Sequence, residues 1–479
     1  MEQERTMGKT GRLAITCLCI SLLAGCAIGP NYKRPQVETP AAWRIEETDA
    51  HDLADTAWWE QFNDPVLTDL IGLALKNNKD VRIAAAKVEE FVGRYGVTRA
   101  SLFPQAGASV NTIRRGVTVF SNPPLPATEQ NPFSDYQAFS YASWELDIWG
   151  RLRRATEAAR ADLLSTEEAR RGVILTLVST VASTYTDLRD LDRQLEIARG
   201  TVKSRAEALQ LFQLRFDRGL ISELELRQAE SELQSALATV PSLEKQIGQE
   251  ENALSFLLGR NPGAIPRGKS IDELALPDIP SGLPSSLLER RPDIRKAEQD
   301  LIAANARIGV AKALYFPSIF LTGTYGVESV DLSRLFTGPA KTWNYTTPVN
   351  MPIFTAGAIA GSVKVAQAVR EQTLLKYQQV IQGAFTEVEN ALIDQTKSRE
   401  QLKVQRQQVE ALRSYAELAT LRYENGYTSY IEVLDAERGL FNAELAYAQT
   451  KGNVFRAMVN MYKSMGGGWV LQAENLAGN

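Results

Sequence analysis

Two stretches of the sequence match each other: RFDRGLISELELRQAE at residues 215–230 and RYENGYTSYIEVLDAE at residues 422–437. The offset of 207 residues between them holds from the pair Gly150 and Gly357 to the pair Gly259 and Gly466. Further upstream, DVR to FP at 80–104 matches DIR to FP at 293–317 at an offset of 213. A constant register over this length indicates a duplicated structural unit. We assign the two copies to residues 66–260 and 283–468, joined by a linker at 261–282 and followed by a tail at 469–479.

Each copy contains a long run without proline, at residues 151–217 and 358–424. As a helix, either run would be about 100 Å long. Gly219 and Gly426 then offer the positive φ at which one helix ends and another begins. The return runs, to 258 and 465, carry apolar residues at strict seven-residue spacing, as in Leu226 and Leu233. This spacing predicts a coiled-coil helix pair in each copy.

Before its long helices, each copy has a region of alternating apolar and polar residues, at about 104–149 and 317–355. Ala138 to Ile148 and Trp343 to Ile353 alternate in this way. Apolar-out, polar-in alternation is typical of membrane β-strands, although a soluble hairpin packed on a core is the alternative. Four strands per chain cannot close on themselves, and lipid tolerates no open edge. Three chains would supply about twelve strands, enough to enclose a lumen.

The N-terminus predicts export and lipid attachment. Basic residues precede an apolar run at 13–24 that is too short to span a bilayer, and the run ends in LAGC at 23–26. This ending resembles the bacterial lipoprotein box, which makes residues 1–25 a signal peptide and Cys26 the lipidated first residue of an extended segment, 26–65. Diacylglycerol and N-acyl chains on Cys26 would be the sole attached group, with no other cofactor. A plain secretory signal is the alternative.

Composition argues against several classes of protein. The 479 residues include 53 Lys and Arg against 57 Asp and Glu, for a net charge of −4, so no basic surface for nucleic acid is indicated. His51 is the one histidine, which leaves little material for histidine catalysis or multi-histidine metal sites. No phosphate-binding loop or nucleophile elbow occurs. We therefore expect no enzyme and no metal site, with cell-wall hydrolysis by a carboxylate pair left open.

Six motifs in order resemble the outer-membrane factor family of the TolC and OprM type, in its lipoprotein branch. They are GPNYKRP at 29–35, WEQFNDPVL at 59–67, ELDIWGR at 145–151, GLPSSLLERRPD at 282–293, PIFTAG at 352–357 and LDAERGLF at 434–441. The resemblance implies a mainly α fold with membrane β-structure. It implies a homotrimer with a shared 12-stranded outer-membrane β-barrel and a long periplasmic α-helical barrel. A periplasmic adaptor and an inner-membrane pump, of RND type, would dock at the inner end.

The resemblance also implies roles for the helix tips. Adaptor contacts fall on the two turns, at Gly219, Leu220, Ser222, Gly426, Tyr427 and Ser429. An aperture is implied at Ile431, Glu432 and Asp435, where three-fold symmetry would assemble acidic rings that favour cations; a solvated helix face is the alternative. Tyr423 matches a position that holds the aperture closed. Thr428 stands where some relatives carry Arg, so we expect Arg422 to pair instead with an acid on the neighbouring coil.

The resulting functional prediction is the outer-membrane channel of a tripartite efflux system, passing drugs or other small toxic compounds without chemistry. Besides cell-wall hydrolysis, two alternatives are open. A lipid-anchored periplasmic adaptor also has long heptad helices, but its strands would flank one hairpin rather than occur twice. A conduit for protein secretion belongs to the same family.

Overall fold

The computed structural model describes residues 27–40, 42–44, 57–116, 118, 120, 131–276, 287–467, 469, 470 and 473. Cys26 and His51 lie outside these residues. The chain divides into two compact units. The strand unit comprises Met1–Gln36, Val88–Thr166 and Ala297–Tyr377, and the helical unit comprises Val37–Lys87, Glu167–Lys296 and Gln378–Asn479.

The helices follow the duplication. They are α1 (Pro65–Asn77), α2 (Lys79–Ala100), α3 (Arg151–Asp217), α4 (Glu223–Leu257), the short α5 (Leu287–Arg290), α6 (Pro292–Ala313), α7 (Ala358–Glu424) and α8 (Tyr430–Ser464). The long helices α3 and α7 have 67 residues each, and the return helices α4 and α8 have 35 each. All four of these helices begin and end at positions separated by the 207-residue offset. None of the described helices is long and apolar enough to cross a membrane.

The sheet of the strand unit is antiparallel. Its strands are β1 (Gln105–Arg115), β2 (Phe133–Glu145), β3 (Ser318–Ser329), β4 (Lys341–Thr346) and β5 (Val349–Asn350). The order is β1-β2-β3-β4, and β5 also pairs with β3. Ala138 of β2 lies opposite both Val110 and Val327, and Tyr325 lies opposite Trp343. Directly opposed residues share a face, so the register collects the apolar positions of both copies on one side.

The structure corrects the strand ends expected from the alternation. The run from Trp343 to Ile353 is not one strand, because β4 ends at Thr346 and β5 covers only two residues. Pro348 lies in the gap and has no N–H to donate to a ladder, although its carbonyl accepts from the Phe320 N–H at 3.1 Å. In the first copy β2 ends at Glu145, three residues before the predicted run does.

The base of the strand unit is formed by Trp149 and the start of the described chain. The Trp149 ring stacks on Phe316 with 4.8 Å between centroids. The Ile28 N–H donates to the Trp149 carbonyl at 3.0 Å. Gly150 has a φ of +76°, and a Cβ there would lie 2.7 Å from Ala27. The residue that follows Cys26 is therefore fixed against the foot of the sheet.

The core of the helical unit joins distant parts of the chain. Trp58 begins a short 3-10 helix, Trp58–Phe62, and stacks on Tyr462 of α8 at 5.2 Å, nearly parallel. Trp469, beyond the end of α8, packs edge-on against both Trp58 and Trp59. These rings are fully buried. Their burial holds the region before α1 to the end of α8.

Candidate aperture and docking tips

The two turns that join the long helices to the return helices have the same backbone. Gly219 has a φ of +70° and Gly426 a φ of +78°. In each turn, the residue after the glycine donates its N–H to a carbonyl of the last helical turn: Leu220 to Arg215 and Tyr427 to Arg422, both at 2.9 Å. A Cβ on either glycine would meet nothing within 4 Å. The left-handed backbone, not lack of space, therefore requires glycine here.

The return helices start differently in the two copies. Ser222 caps α4 in a capping box with Glu225, whose carboxylate accepts from the Ser222 N–H at 2.9 Å. Ser429 is the equivalent cap of α8 but makes no side-chain capping bond. The acid equivalent to Glu225 is Glu432, and its carboxylate is engaged elsewhere. At the second tip, the Glu432 carboxylate therefore pairs with other side chains instead of completing a capping box.

Glu432 is held from two sides within its own hairpin. Arg422, on the last turn of α7, donates from Nη1 to Glu432 Oε1 at 3.1 Å. Thr428 donates from its hydroxyl to the other carboxylate oxygen. Within this chain the partner of Arg422 is therefore on its own return helix, whereas pairing with an acid on the neighbouring coil stays a prediction. The short turn brings Arg422 within reach of the third residue of α8, so the local pair forms.

Tyr423 connects the two hairpins. Its hydroxyl lies close enough to Arg215 of α3 and Glu225 of α4 to interact electrostatically with both. Burial, and next the negative charge of Glu225, raise the pKa of Tyr423, so the hydroxyl keeps its proton. Its ring lies 5.3 Å from Tyr430 and 6.2 Å from Phe212. Tyr423 thus links the second copy to the first by a polar contact and by ring packing.

A small apolar core lies beneath both tips. Its centre is the contact between Phe212 of α3 and Tyr430 of α8, with 4.2 Å between ring centroids. The other buried members come from α4, α7 and α8: Leu226, Ala229, Ala416, Ala419, Val433, Leu434 and Ala436. Because both hairpins contribute to this core, their ends are packed on each other.

Several apolar side chains at the tips remain exposed. Leu220 is 70% and Tyr427 77% exposed, and these two residues occupy equivalent places in the two turns. Leu224 and Ile431, again equivalent, are 67% and 61% exposed. Large exposed side chains paired in this way form a surface suited to contact with another protein. The predicted docking residues therefore lie together at one end of the two hairpins.

The predicted aperture residues have different environments. Ile431 and Asp435 lie one helical turn apart on α8, and both are exposed. They line a cavity of about 240 Å³ between α8 and α4, together with Glu232 and Arg438. Glu432 is only half-buried but has the Arg422 partner described above. Asp435 therefore carries the negative charge on this face, whereas the charge of Glu432 is balanced.

A buried ionic group close to these residues was not predicted from the sequence. The carboxylate of Glu232, on α4, pairs with Arg205 of α3 and with Arg438 of α8. A detectable signal was the difference between the copies, because Gly439 is the residue equivalent to Glu232 and Leu412 the one equivalent to Arg205.

The fold and the tips together define a TolC-like outer-membrane channel protein. The sequence profile of the outer membrane efflux protein family matches residues 70–260 and again residues 283–467. The chain belongs to this family, as the sequence motifs predicted. Its fold class and its function as an outer-membrane efflux channel are likewise confirmed. The family is one of channels, not of enzymes.

Individual relatives are similar over almost the whole chain. The antibiotic efflux pump outer membrane protein ArpC of Pseudomonas putida is 35% identical over 468 residues, 96% of each chain. SilC of Salmonella typhimurium, a probable outer membrane lipoprotein, is 36% identical over 458 residues, 94% of this chain and 97% of SilC. The crystal structure of the Campylobacter jejuni CmeC outer membrane channel superposes with a TM-score of 0.85 at 27% identity, covering 92% of this chain and 95% of that one. The location in the outer membrane follows from these relatives.

Proposed function

We propose that three copies of this chain form one channel, which carries small toxic compounds outward from an inner-membrane pump of RND type and a periplasmic adaptor. The observation that carries the proposal is the sheet. Within the described residues, β1 and β4 each pair on one side only, so both edges of the sheet are open. Val110, Tyr325 and Trp343 share one face and are mostly exposed. When copies join their sheets into one closed barrel, the open edges form hydrogen bonds with each other and the apolar face contacts lipid.

The tips support docking of an adaptor. The two equivalent turns present Leu220 and Tyr427 to solvent on rigid helix ends, each fixed by a glycine at positive φ. A three-fold assembly would present both turns three times, which offers repeated apolar contacts to a partner. We assign Gly219, Leu220, Ser222, Gly426, Tyr427 and Ser429 to this surface.

The aperture residues support passage of the substrate without chemistry. Asp435 would contribute a ring of three carboxylates beside the exposed Ile431, which favours cations over anions. Arg422 and Tyr423 would hold this end closed, the first by its pair with Glu432 and the second by its contacts to the first hairpin. A small organic compound is the proposed cargo, since ArpC is named for antibiotic efflux.

A lipid anchor at Cys26 supports retention at the membrane. Cys26 itself lies outside the described residues, but Ala27 and Ile28 are fixed at the foot of the sheet beside Trp149. Acyl chains on Cys26 would therefore start at the membrane-proximal edge of the strands. Buried acyl chains contribute about 0.8 kcal/mol per CH2. SilC, which carries the description of lipoprotein, aligns over nearly the whole chain.

The test measures the accumulation of ethidium in host cells with and without the gene for this chain. Deletion should raise intracellular ethidium, and the intact chain should restore the low level. Leu220→Asp with Tyr427→Asp should fail to restore it, while the same purified variant still conducts in planar bilayers, because the substitutions affect docking and not the pore. Unchanged ethidium on deletion would contradict the proposed function. Full restoration by the double variant would contradict the docking surface.

A further inference from the structure

The ionic group around Glu232 joins three helices. Glu232 Oε2 lies 3.1 Å from Arg205 Nη1 of α3, and the same nitrogen donates to the Glu232 carbonyl at 2.6 Å. Glu232 Oε1 accepts from Arg438 Nε of α8 at 3.2 Å and also from its Nη2. Arg205 is further fixed over the Phe441 ring, 5.4 Å from its centroid. One carboxylate therefore connects the first hairpin to the second.

The burial of the group is uneven. Glu232 is 8% and Arg205 6% exposed, whereas the side chain of Arg438 is 56% exposed. Breaking a buried ion pair leaves an uncompensated charge and is strongly unfavourable, but water can solvate an exposed guanidinium. The link between Glu232 and Arg438 is therefore the one that can open, while Arg205 keeps the carboxylate in place.

Helix packing alone does not require these charges. At the equivalent place in the second hairpin, Leu412 replaces Arg205 and Gly439 replaces Glu232. A Cβ on Gly439 would meet Leu412 Cδ2 at 3.3 Å, so an apolar contact closes the same crossing there. Well-packed apolar groups often stabilise as well as a buried ion pair. The charges of Arg205 and Glu232 thus occur only in the first hairpin, at the place where α3 and α4 face α8.

We propose that Glu232 is the electrostatic latch of the aperture: it holds α8 to α4 through Arg438 and keeps the Arg438 guanidinium from neutralising Asp435. The proposal rests on the channel function proposed above. Arg438 follows Asp435 by one turn of α8, and both line the same cavity as Glu232. Separation of α8 from α4 breaks the pair and frees the Arg438 guanidinium, while Glu232 keeps its pair with Arg205. Glu232 is a positioning residue, since it acts on the aperture through Arg438.

Two readouts follow from this arrangement. Loss of the latch lets α8 move, which raises the open probability of the channel. It also frees Arg438 to approach Asp435, which lowers the preference for cations. A purely structural role of Glu232 would change stability without moving the reversal potential, so the second readout separates the two.

The test compares purified variants in planar bilayers under a salt gradient. Glu232→Gln and Arg438→Gln should each raise open probability, by at least about threefold, and the double variant should add little, because both remove one interaction. Cation preference should fall in Glu232→Gln and not in Arg438→Gln, which lacks the guanidinium. Glu230→Gln is the matched control: it lies on the same helix and loses only its exposed pair with Arg227, so it should match the wild type.

A second variant keeps the proposal testable if Glu232→Gln fails to fold. Arg205→Leu with Glu232→Gly reproduces the apolar contact between Leu412 and Gly439 of the second hairpin. This double variant should also open the channel and lower its cation preference. If Glu232→Gln and this double variant both form channels with the gating and selectivity of the wild type, the latch is overturned. Absence of any conductance from the wild type would instead overturn the proposed function.

Discussion

Arg422 and Glu432 form an ion pair across the second tip, with 3.1 Å between Nη1 and Oε1. The pair joins the last turn of α7 to the first turn of α8 and neutralises one of the two carboxylates predicted to line the aperture. The negative charge that each chain contributes on this face is then that of Asp435.

Asp435 is therefore expected to set ion selectivity. Asp435→Asn should lower the cation preference of the channel, because a ring of three charges is lost from a narrow passage. Removing both members of the neutral pair, in Arg422→Gln with Glu432→Gln, should leave the preference nearly unchanged. Reversal potentials in a salt gradient distinguish the two variants. Equal losses in both would show that the pair does not act as a neutral unit.

Arg422 is expected to restrain the second hairpin weakly. Arg422→Ala should raise mean conductance only modestly, since an exposed ion pair is worth about 0.2–1 kcal/mol. Arg406→Ala serves as control, because Arg406 forms an exposed pair with Glu410 on the same helix but away from the tip. Single-channel recordings of both variants make the comparison. If Arg422→Ala conducts like Arg406→Ala, the restraint is absent.

Tyr423 is expected to restrain the second hairpin more strongly than Arg422 does. Tyr423→Phe keeps the ring packing on Phe212 and Tyr430 but removes the hydroxyl between Arg215 and Glu225. Because the hydroxyl interacts with two charged groups of the first hairpin, its loss should raise the open probability several-fold. Tyr427→Phe, at the exposed turn, should have no effect on gating. Identical gating in the two variants would remove Tyr423 from the closure.

Asp190 of α3 is expected to make stability depend on pH. Burial raises its pKa to about 6, against 3.8 in the unfolded chain, while a hydrogen bond from Gln194 opposes the shift. The folded state therefore holds the proton longer, and stability falls as pH rises from about 4 to 6, by on the order of 3 kcal/mol. Asp190→Asn should raise the Tm at pH 7.5, with a smaller gain at pH 4.5. A gain that is equal at both pH values would contradict this assignment.

Cys26 is expected to carry the lipid. Mass spectrometry of the mature wild type should find an acylated N-terminus that starts at this residue, and Cys26→Ser should lose it. Cys19→Ser should keep the lipid, because Cys19 lies within the segment that is removed. A wild-type N-terminus without acyl mass would refute the anchor.

Much of the fold could be predicted from local pattern. The duplication placed the two turns at Gly219 and Gly426, since a repeat keeps helix ends in register and only glycine adopts positive φ without strain. Pro348 also marks the strand break in the sequence, although the apolar–polar alternation continues across it. A missing N–H outweighed a favourable side-chain pattern.

The contacts within the site were harder to predict. The pairing of Glu232 with Arg438 spans 206 residues, and no local pattern indicates which acid meets which arginine. The stacking of Trp58 on Tyr462 similarly depends on how separate helices pack. Family resemblance located Tyr423 and Arg422, but their partners Glu225 and Glu432 came from the geometry of the two turns.

The most direct measurement is single-channel conductance of the detergent-purified chain in planar bilayers, with its oligomeric mass determined on the same sample. We expect a trimer that gives discrete, cation-selective openings. A monomer or dimer without conductance would contradict this, because the proposed barrel and aperture are formed by three copies around one axis.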